Sequence, residues 1–307
     1  MSEDREVATD RQHTKSVAQQ TSPLRHRGSG VSGKVAVVTG AGSGIGEALA
    51  VALAERGARL AVSDVNEKGL AETVDRVKAA GAQVRADVLD VTDREAVRAY
   101  AATVAEHFGV VHQLYNNAGI AGQSKSVLDS EYEAYERILD VNLWGVIHGT
   151  KEFLPHLIAS GDGQIVNISS LNGIMGQESL SAYCASKFAV RGFTESLRAE
   201  MLKAGHPVGV TVVHPGGVKT NIAKASLAEA EKSGNATEDV VRRARLYDEK
   251  LLKMPPATAA KIILDGVQSG KPRILVGNDA KVVDLVVRLL PRQYPQLFTW
   301  WLRRLGR

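Results

Sequence analysis

Tyr183 and Lys187 stand four residues apart in the run Tyr183-Cys184-Ala185-Ser186-Lys187. On a helix, that spacing puts a phenol and an ammonium on one face with their β-carbons roughly 5–6 Å apart. A free tyrosine titrates near ~10 and is a poor base at neutral pH. A cation within ~4–6 Å can lower such a group by roughly 1–3 units. The pair is therefore a candidate acid/base device, in which tyrosinate takes the hydroxyl proton of an alcohol and the phenol returns one to a ketone oxygen. Upstream, Ser170 closes the run Gln164-Ile165-Val166-Asn167-Ile168-Ser169-Ser170, and its hydroxyl can bind the same substrate oxygen. Neither serine has the G-x-S-x-G elbow of a hydrolase. Tyr-x-x-x-Lys alone is a weak signal, since most such pairs lie on helix surfaces, so its meaning depends on what surrounds it.

A second constellation sits near the start of the ordered sequence. Val35-Ala36-Val37-Val38-Thr39 runs into Gly40-Ala41-Gly42-Ser43-Gly44-Ile45-Gly46 and then into Glu47-Ala48-Leu49-Ala50. Strand, glycine turn and helix in that order let the backbone pass close to a pyrophosphate and aim helix N-terminal N–H groups at it. The pattern is G-x-x-x-G-x-G, with Ile45 where the strict dinucleotide fingerprint would place its third glycine, and no lysine follows as in a Walker loop. Asp64 closes the next strand, where a carboxylate can accept hydrogen bonds from adenosine ribose hydroxyls and repel a 2′-phosphate. With Ser43 in the turn and Val65 after Asp64, no basic residue is placed to hold that phosphate. NAD is therefore expected in preference to NADP.

The elements that must position these residues alternate regularly. Strands are expected at Val35–Thr39, Arg59–Ser63, Gln83–Asp87, Gln113–Asn116, Gln164–Ile168, Gly209–His214 and Arg273–Val276. Helical patterns fall at Gly46–Arg56, Asn66–Ala79, Arg94–Phe108, Glu131–Ala159, Tyr183–Lys203 and Ala257–Ser269. Such alternation implies right-handed crossovers and a doubly wound α/β domain, a parallel sheet covered on both faces. Residues 1–30 read as a disordered tail and 31–277 as the catalytic domain. Within it, 219–256 form a long excursion expected to fold as a substrate lid, because Val240, Ala244, Tyr247 and Leu251 recur at helical spacing. Residues 278–307 form a basic amphipathic extension.

Composition narrows the function classes. At 307 residues, 44% hydrophobic and 23% charged, the chain can bury a real core. One cysteine, Cys184, makes no internal disulfide and suits a reducing compartment, so a cytoplasmic location is expected. The first thirty residues lack the apolar stretch of a signal peptide, and no apolar run reaches the length of a membrane span. Net charge is +4, but the last twenty residues hold five arginines and no acid, leaving −1 for the rest. That localisation argues against nucleic-acid binding. The histidines at 107, 112, 148, 156, 206 and 214 show no ligand spacing, are expected mostly on surfaces or capping loops, and predict no catalytic metal.

Taken together, Thr39-Gly40-x-x-x-Gly44-Ile45-Gly46, Asn116-Asn117-Ala118-Gly119, Ser170, the Tyr183–Lys187 pair and Pro215-Gly216 resemble the short-chain dehydrogenases/reductases, over about Gly33 to Gly277. The resemblance implies a Rossmann fold of about seven strands and oxidation of a secondary alcohol, or reduction of a ketone, with NAD(P). It makes Tyr183 the acid/base and has Lys187 lower its pKa and bind the nicotinamide ribose. Ser170 positions the substrate oxygen, and Asn142 holds a water in a proton relay through Lys187. It further assigns Asp90 and Val91 to the adenine, Asn117 to the turn beneath the cofactor, and Pro215, Gly216, Val218 and Thr220 to the nicotinamide end. A homodimer or homotetramer, built through the helices around 131–159 and 183–203, is the assembly it implies.

Leu171, Ile174, Met175 and Leu180, beside Asn172 and Gln177 and with Ile222 and Leu227 from the excursion, suggest an apolar pocket for a lipophilic substrate, although core packing explains them about as well. In the tail, Val282, Val283, Val286, Leu289 and Leu290 can form one helical face. Leu297, Phe298, Trp301, Leu302 and Leu305 can form another, beside Trp300, Arg303, Arg304 and Arg307. That composition suits packing on the subunit or a partner, or peripheral contact with an anionic membrane. Two alternative functions follow: a dinucleotide-binding sensor without turnover, and a membrane-surface protein.

Overall fold

The computed structural model describes residues 30–305 apart from positions 123, 233 and 235. The expected disordered tail lies almost wholly outside the described residues, as does Arg307.

Seven strands form one parallel sheet in the order β3-β2-β1-β4-β5-β6-β7. They are β1 (Val35–Thr39), β2 (Arg59–Asp64), β3 (Val84–Val88), β4 (Gln113–Asn116), β5 (Gly163–Ile168), β6 (Val208–Pro215) and β7 (Arg273–Val276). β1, β4, β5 and β6 are buried along their whole length, as expected of a parallel sheet covered on both faces; β1 and β6 are rich in β-branched residues, while Gln113-Leu114-Tyr115-Asn116 of β4 has none. The edge strand β3 is only partly covered and carries the Arg85–Asp87 ion pair at 2.7 Å.

Helices cover both faces. On one side α1 (Gly44–Glu55), α2 (Glu67–Ala79) and, from late in the chain, Pro256–Gln268 bury Leu49, Leu53, Leu70, Val77, Ile263 and Leu264 against the sheet. On the other lie α3 (Arg94–Phe108), a composite helix over residues 132–159, and the long helix Ser181–Ala204, packing through Val104, Phe153, Leu157 and Met201. Tyr100 and Phe153 meet edge to face at 5.8 Å. Local signals set the ends: Asn66 accepts from Gly69 N–H at 3.2 Å to start α2, and Asp93 accepts from Ala96 N–H at 3.0 Å to start α3.

Two departures from the sequence expectation matter for function. The helix expected as one piece over 131–159 is α4 (Tyr132–Leu139), a π turn (Asp140–Trp144) and α5 (Gly145–Ala159). The extra residue in the π turn rotates Asn142 fully inside. The helix bearing Tyr183, α6 (Ser181–Ala204), starts two residues earlier than expected, after Leu180 as N-cap and Ser179, whose φ of 60° is left-handed.

The excursion after β6 is closed at its base. Val218 bridges Met254, Lys219 N–H donates to Met254 C=O at 2.8 Å, and Met254 N–H to Gly217 C=O at 3.0 Å. It folds as α7 (Ile222–Lys232), α8 (Glu238–Leu246) and a π turn (Tyr247–Leu251) before α9 (Pro256–Gln268). Beyond β7 come α10 (Asn278–Leu289) and α11 (Tyr294–Leu305). No helix among the described residues is long and apolar enough to cross a membrane.

Candidate active site

The strand order reverses between β1 and β4, and the two turns leaving those strands are locked together there. Asn117 Nδ2 donates to the carbonyls of Thr39 and Gly40, both at 3.0 Å, while Thr39 Oγ1 accepts from the N–H of Asn117 at 3.1 Å. Asn117 is thus the prop of the glycine turn. Gly46 lies so close to the Gly40 carbonyl and the Asn117 amide that a β-carbon would overlap both. That crowding explains why glycine stands at the first turn of α1. Ser43 is the N-cap residue of α1 but makes no side-chain cap bond, so the helix N-terminus keeps N–H groups free for an anion. Asp64 faces this turn, accepting from Gly42 N–H and Asn66 N–H at 2.8 Å each. The Thr220 methyl sits over Gly44. This cradle fits a dinucleotide: a turn without β-carbons, an uncapped helix start, and a carboxylate at the end of β2.

Asp90 and Val91 lie beyond β3. The Asp90 carboxylate accepts from Thr92 N–H at 2.9 Å and Thr92 Oγ1 at 2.8 Å. Val91 is 8% exposed and packs against Gly145, and its carbonyl is 3.0 Å from His148 Nδ1.

Across the switch point, Ser170, Tyr183 and Lys187 converge at the C-terminal edge of β5. Ser170 lies two residues past the end of β5, and its side chain faces the Tyr183 phenol within hydrogen-bonding reach. Lys187, 4% exposed, donates from Nζ to the Ile168 carbonyl at 3.1 Å and lies 5.8 Å from the centre of the Tyr183 ring. Ser169 donates to the Lys187 carbonyl at 2.8 Å and so joins β5 to α6. Asn142 is completely buried. Its Nδ2 donates to Ile120 C=O at 2.9 Å and Ser186 Oγ at 3.0 Å, and its Oδ1 accepts from Ile120 N–H at 2.8 Å. The space beside Gly119 that a side chain would fill is bounded by Asn142 Oδ1 and Lys187 Nζ.

The electrostatics correct one expectation. Lys187 was expected to pull the Tyr183 pKa down. Instead burial pushes Tyr183 above its ordinary value, and the Ser170 hydrogen bond only partly opposes it. Burial also pushes Lys187 down, to about 8. Desolvation disfavours both charged forms. The phenol is therefore protonated at neutral pH.

His214 is a second correction. Expected on a surface or loop cap, it is fully buried in β6, with Nδ1 2.9 Å from the Ser170 carbonyl and its pKa pushed down to about 4 by desolvation. It is a neutral support beneath the serine. Ile174 and Met175, proposed as pocket lining, are 4% and 5% exposed and pack internally. Leu180 does face the cavity beside Tyr183, whose other wall is Ala121, Ala134, Tyr135 and Ile138. Sequence reading missed that wall, which comes from α4 together with Ala121 of the β4–α4 connection and carries no motif. Tyr135 and Ser181 close it with a hydrogen bond of 2.6 Å between their hydroxyls.

Asp279 was also missed. From the first turn of α10 its carboxylate accepts from Gly217 N–H at 2.6 Å. β-Carbons on Gly216 or Gly277 would overlap it. The Pro215–Thr220 segment is thereby fastened from behind by the C-terminal extension.

A Rossmann-type sheet with this pair of turns and a Ser-Tyr-Lys cluster defines a class, and residues 34–231 match the short chain dehydrogenase family. The chain belongs to that family and is an oxidoreductase of the short-chain type. It is 55% identical over 270 residues to the putative oxidoreductase SadH of Mycobacterium tuberculosis, covering 88% of this chain and 95% of the relative. It is 36% identical over 198 residues to the cyclohexanol dehydrogenase of an Acinetobacter species, covering 64% of this chain and 78% of that one. Among solved structures, a short chain dehydrogenase/reductase from Burkholderia phymatum in complex with NAD superposes with a TM-score of 0.78 at 33% identity. It covers 87% of this chain and 95% of that one.

Proposed function

We propose that the chain interconverts a lipophilic secondary alcohol and its ketone with NAD(H). The observation carrying this reading is the convergence of Ser170, Tyr183 and Lys187 beside the glycine turn. The Acinetobacter relative, named for a cyclic secondary alcohol, and the NAD bound to the Burkholderia phymatum structure support it.

In this reading the N–H groups of the Ser43–Gly46 turn hold the pyrophosphate, with Gly40, Gly44, Ile45 and Gly46 supplying the close approach. Asp64 takes the adenosine ribose, Asp90 and Val91 border the adenine, and Asn117 keeps the turn in shape. Tyr183 and Lys187 border the nicotinamide ribose, while Pro215, Gly216, Val218 and Thr220 hold the nicotinamide end. The bound nicotinamide accepts or supplies hydride.

Everything else is done by the chain. Ser170 donates a hydrogen bond to the substrate oxygen and orients it towards the Tyr183 hydroxyl. Kept protonated by burial, Tyr183 starts as the acid and gives its proton to the oxygen of a ketone; for alcohol oxidation it must first lose that proton. Lys187 lies beside the ring with a pKa near 8, so it can pass a proton on at mildly alkaline pH. The gap between its Nζ and Asn142 Oδ1 offers a relay position. Asn142 acts as a positioning residue, since its amide fixes Ile120 and Ser186.

The substrate approaches Tyr183 from the side bordered by Tyr135, Ile138 and Leu180, with the 219–256 excursion as a lid whose Ser226 hydroxyl donates to Gly122 C=O. Exposed Trp144 and Phe188, on the composite helix and α6, favour a homo-oligomer built through those helices. The test is a panel of cyclic and long-chain secondary alcohols and ketones, followed by NADH absorbance with Tyr183→Phe as blank. Turnover of a subset by wild type alone supports the reading. Tight NADH binding with no turnover of any would favour a dinucleotide sensor.

A further inference from the structure

We propose that the outward faces of α10 and α11 form a docking surface for an anionic lipid bilayer. The observations are independent of the substrate the crevice takes.

The two helices use only part of their apolar surface within the subunit. On α10, Ala280 and Val283 are buried against the body, while Val282, Leu285 and Leu289 are 60%, 57% and 68% exposed. Their spacing of three and four residues makes one stripe. On α11, Tyr294 turns inward: its hydroxyl accepts from Gly176 N–H at 3.3 Å and its ring meets Phe298 edge to face at 6.3 Å. Leu297, Trp300 and Trp301 remain exposed at 45%, 57% and 43%. Gly176 belongs to the segment between Ser170 and Tyr183, so this surface abuts the substrate side of the site.

Charge identifies the occupant. The last acidic residue of the chain is Asp284, and it is spent on Arg273 at 2.6 Å and Arg288 at 3.0 Å. Arg292, Arg303 and Arg304 are exposed, and the Arg304 guanidinium stacks 4.5 Å over the Trp300 ring. Tryptophans beside arginines, next to an aliphatic stripe and with no carboxylate paired to those arginines among the described residues, match the layering of a bilayer interface with anionic headgroups. An isologous contact with a second copy would press this positively charged patch onto an identical one. The proposal thus commits to lipid.

The test is co-sedimentation of the full chain with vesicles of phosphatidylcholine alone and of an equimolar mixture with phosphatidylglycerol. Binding to the mixed vesicles, weak binding to the neutral ones and loss at high salt are expected. Arg303→Gln with Arg304→Gln should lower the partition coefficient by about five-fold per arginine. Trp300→Ser with Trp301→Ser should lower it as well. Both double variants should keep wild-type unfolding temperature and NADH affinity, which separates lost docking from lost folding. Failure of the folded wild type to bind the mixed vesicles overturns the proposal, as does binding that neither double variant weakens. A tryptophan variant that shifts to a smaller oligomer while wild type ignores vesicles also overturns it, and gives the face to a second copy.

Discussion

Asp279 Oδ2 accepts the Gly217 N–H at 2.6 Å across 62 residues of sequence, joining the first turn of the C-terminal extension to the turn that leaves β6. The carboxylate sits where β-carbons on Gly216 and Gly277 would otherwise be, so the three glycine-bearing positions and the acid are matched in shape. It also lies at a helix N-terminus, where negative charge is favoured. The contact makes the extension part of the framework that sets Thr220 over the glycine turn.

Asp279→Ala should therefore raise the KM for NADH roughly five- to ten-fold, as expected for loss of a partly exposed charge-assisted hydrogen bond, with a smaller change in kcat. Asp279→Asn keeps an acceptor oxygen and should restore most of the affinity. Steady-state kinetics at saturating substrate check this. A melting temperature that falls while KM stays constant would show that the contact is structural only.

Asp64 gives a prediction on cofactor choice. Its oxygens are held towards the glycine turn by Gly42 and Asn66, and in the proposed binding mode it presents negative charge where a 2′-phosphate would lie. Asp64→Ala should shift the ratio of kcat/KM values towards NADP by about ten-fold or more, equivalent to about 1.4 kcal/mol. Parallel assays with both cofactors decide it, and a wild type already favouring NADP would contradict the reading.

How far the sequence carries the structure depends on the range of the interaction involved. β1 and β6 were legible because they are rich in β-branched residues, whereas β4 has none and was read from the regular alternation of strands with helical patterns. The glycine turn was legible because its requirement for space is local. The π turn at Asp140–Trp144 was not, since one extra residue inside a long helix leaves the apolar period nearly unchanged. Asp279 and His214 were invisible for a different reason: each meets its partner, Gly217 or Ser170, only after the strands are assembled. Burial also changes the sign of an argument from spacing. The Tyr183–Lys187 interval was read correctly as one helix face, but desolvation of both groups, which spacing cannot reveal, decides the direction of their pKa shifts.

Lys187 carries a stability consequence. Its pKa falls from 10.5 to about 8 on folding. Between those values the unfolded chain binds more protons, so this group makes stability rise with pH across that window. Below about 8 both states are protonated, and the buried ammonium costs stability although it donates to Ile168 C=O. Lys187→Met removes the titration. The difference in melting temperature between wild type and variant should move in favour of wild type from pH 8 to pH 10, while the variant loses turnover. A difference independent of pH would mean that Lys187 is not buried as described.

The reduction and oxidation rates should have opposite pH dependence, because a phenol raised above its ordinary value serves reduction as an acid and must ionise to serve oxidation. Ketone reduction should hold level through neutral pH and fall in alkali, and alcohol oxidation should climb over the same range. Initial rates in both directions across one buffer series check this. An oxidation rate already at its plateau at neutral pH would require a Tyr183 far more acidic than this one.

The most direct test of the account is kcat/KM for one alcohol–ketone pair in wild type and Tyr183→Phe, with NADH affinity measured on the same preparations. Positioned general acid/base catalysis contributes roughly 10²–10⁴-fold, so the variant should lose that much turnover while binding NADH within about two-fold of wild type. Turnover retained within a few-fold would place the proton transfer elsewhere and contradict the assignment of Tyr183.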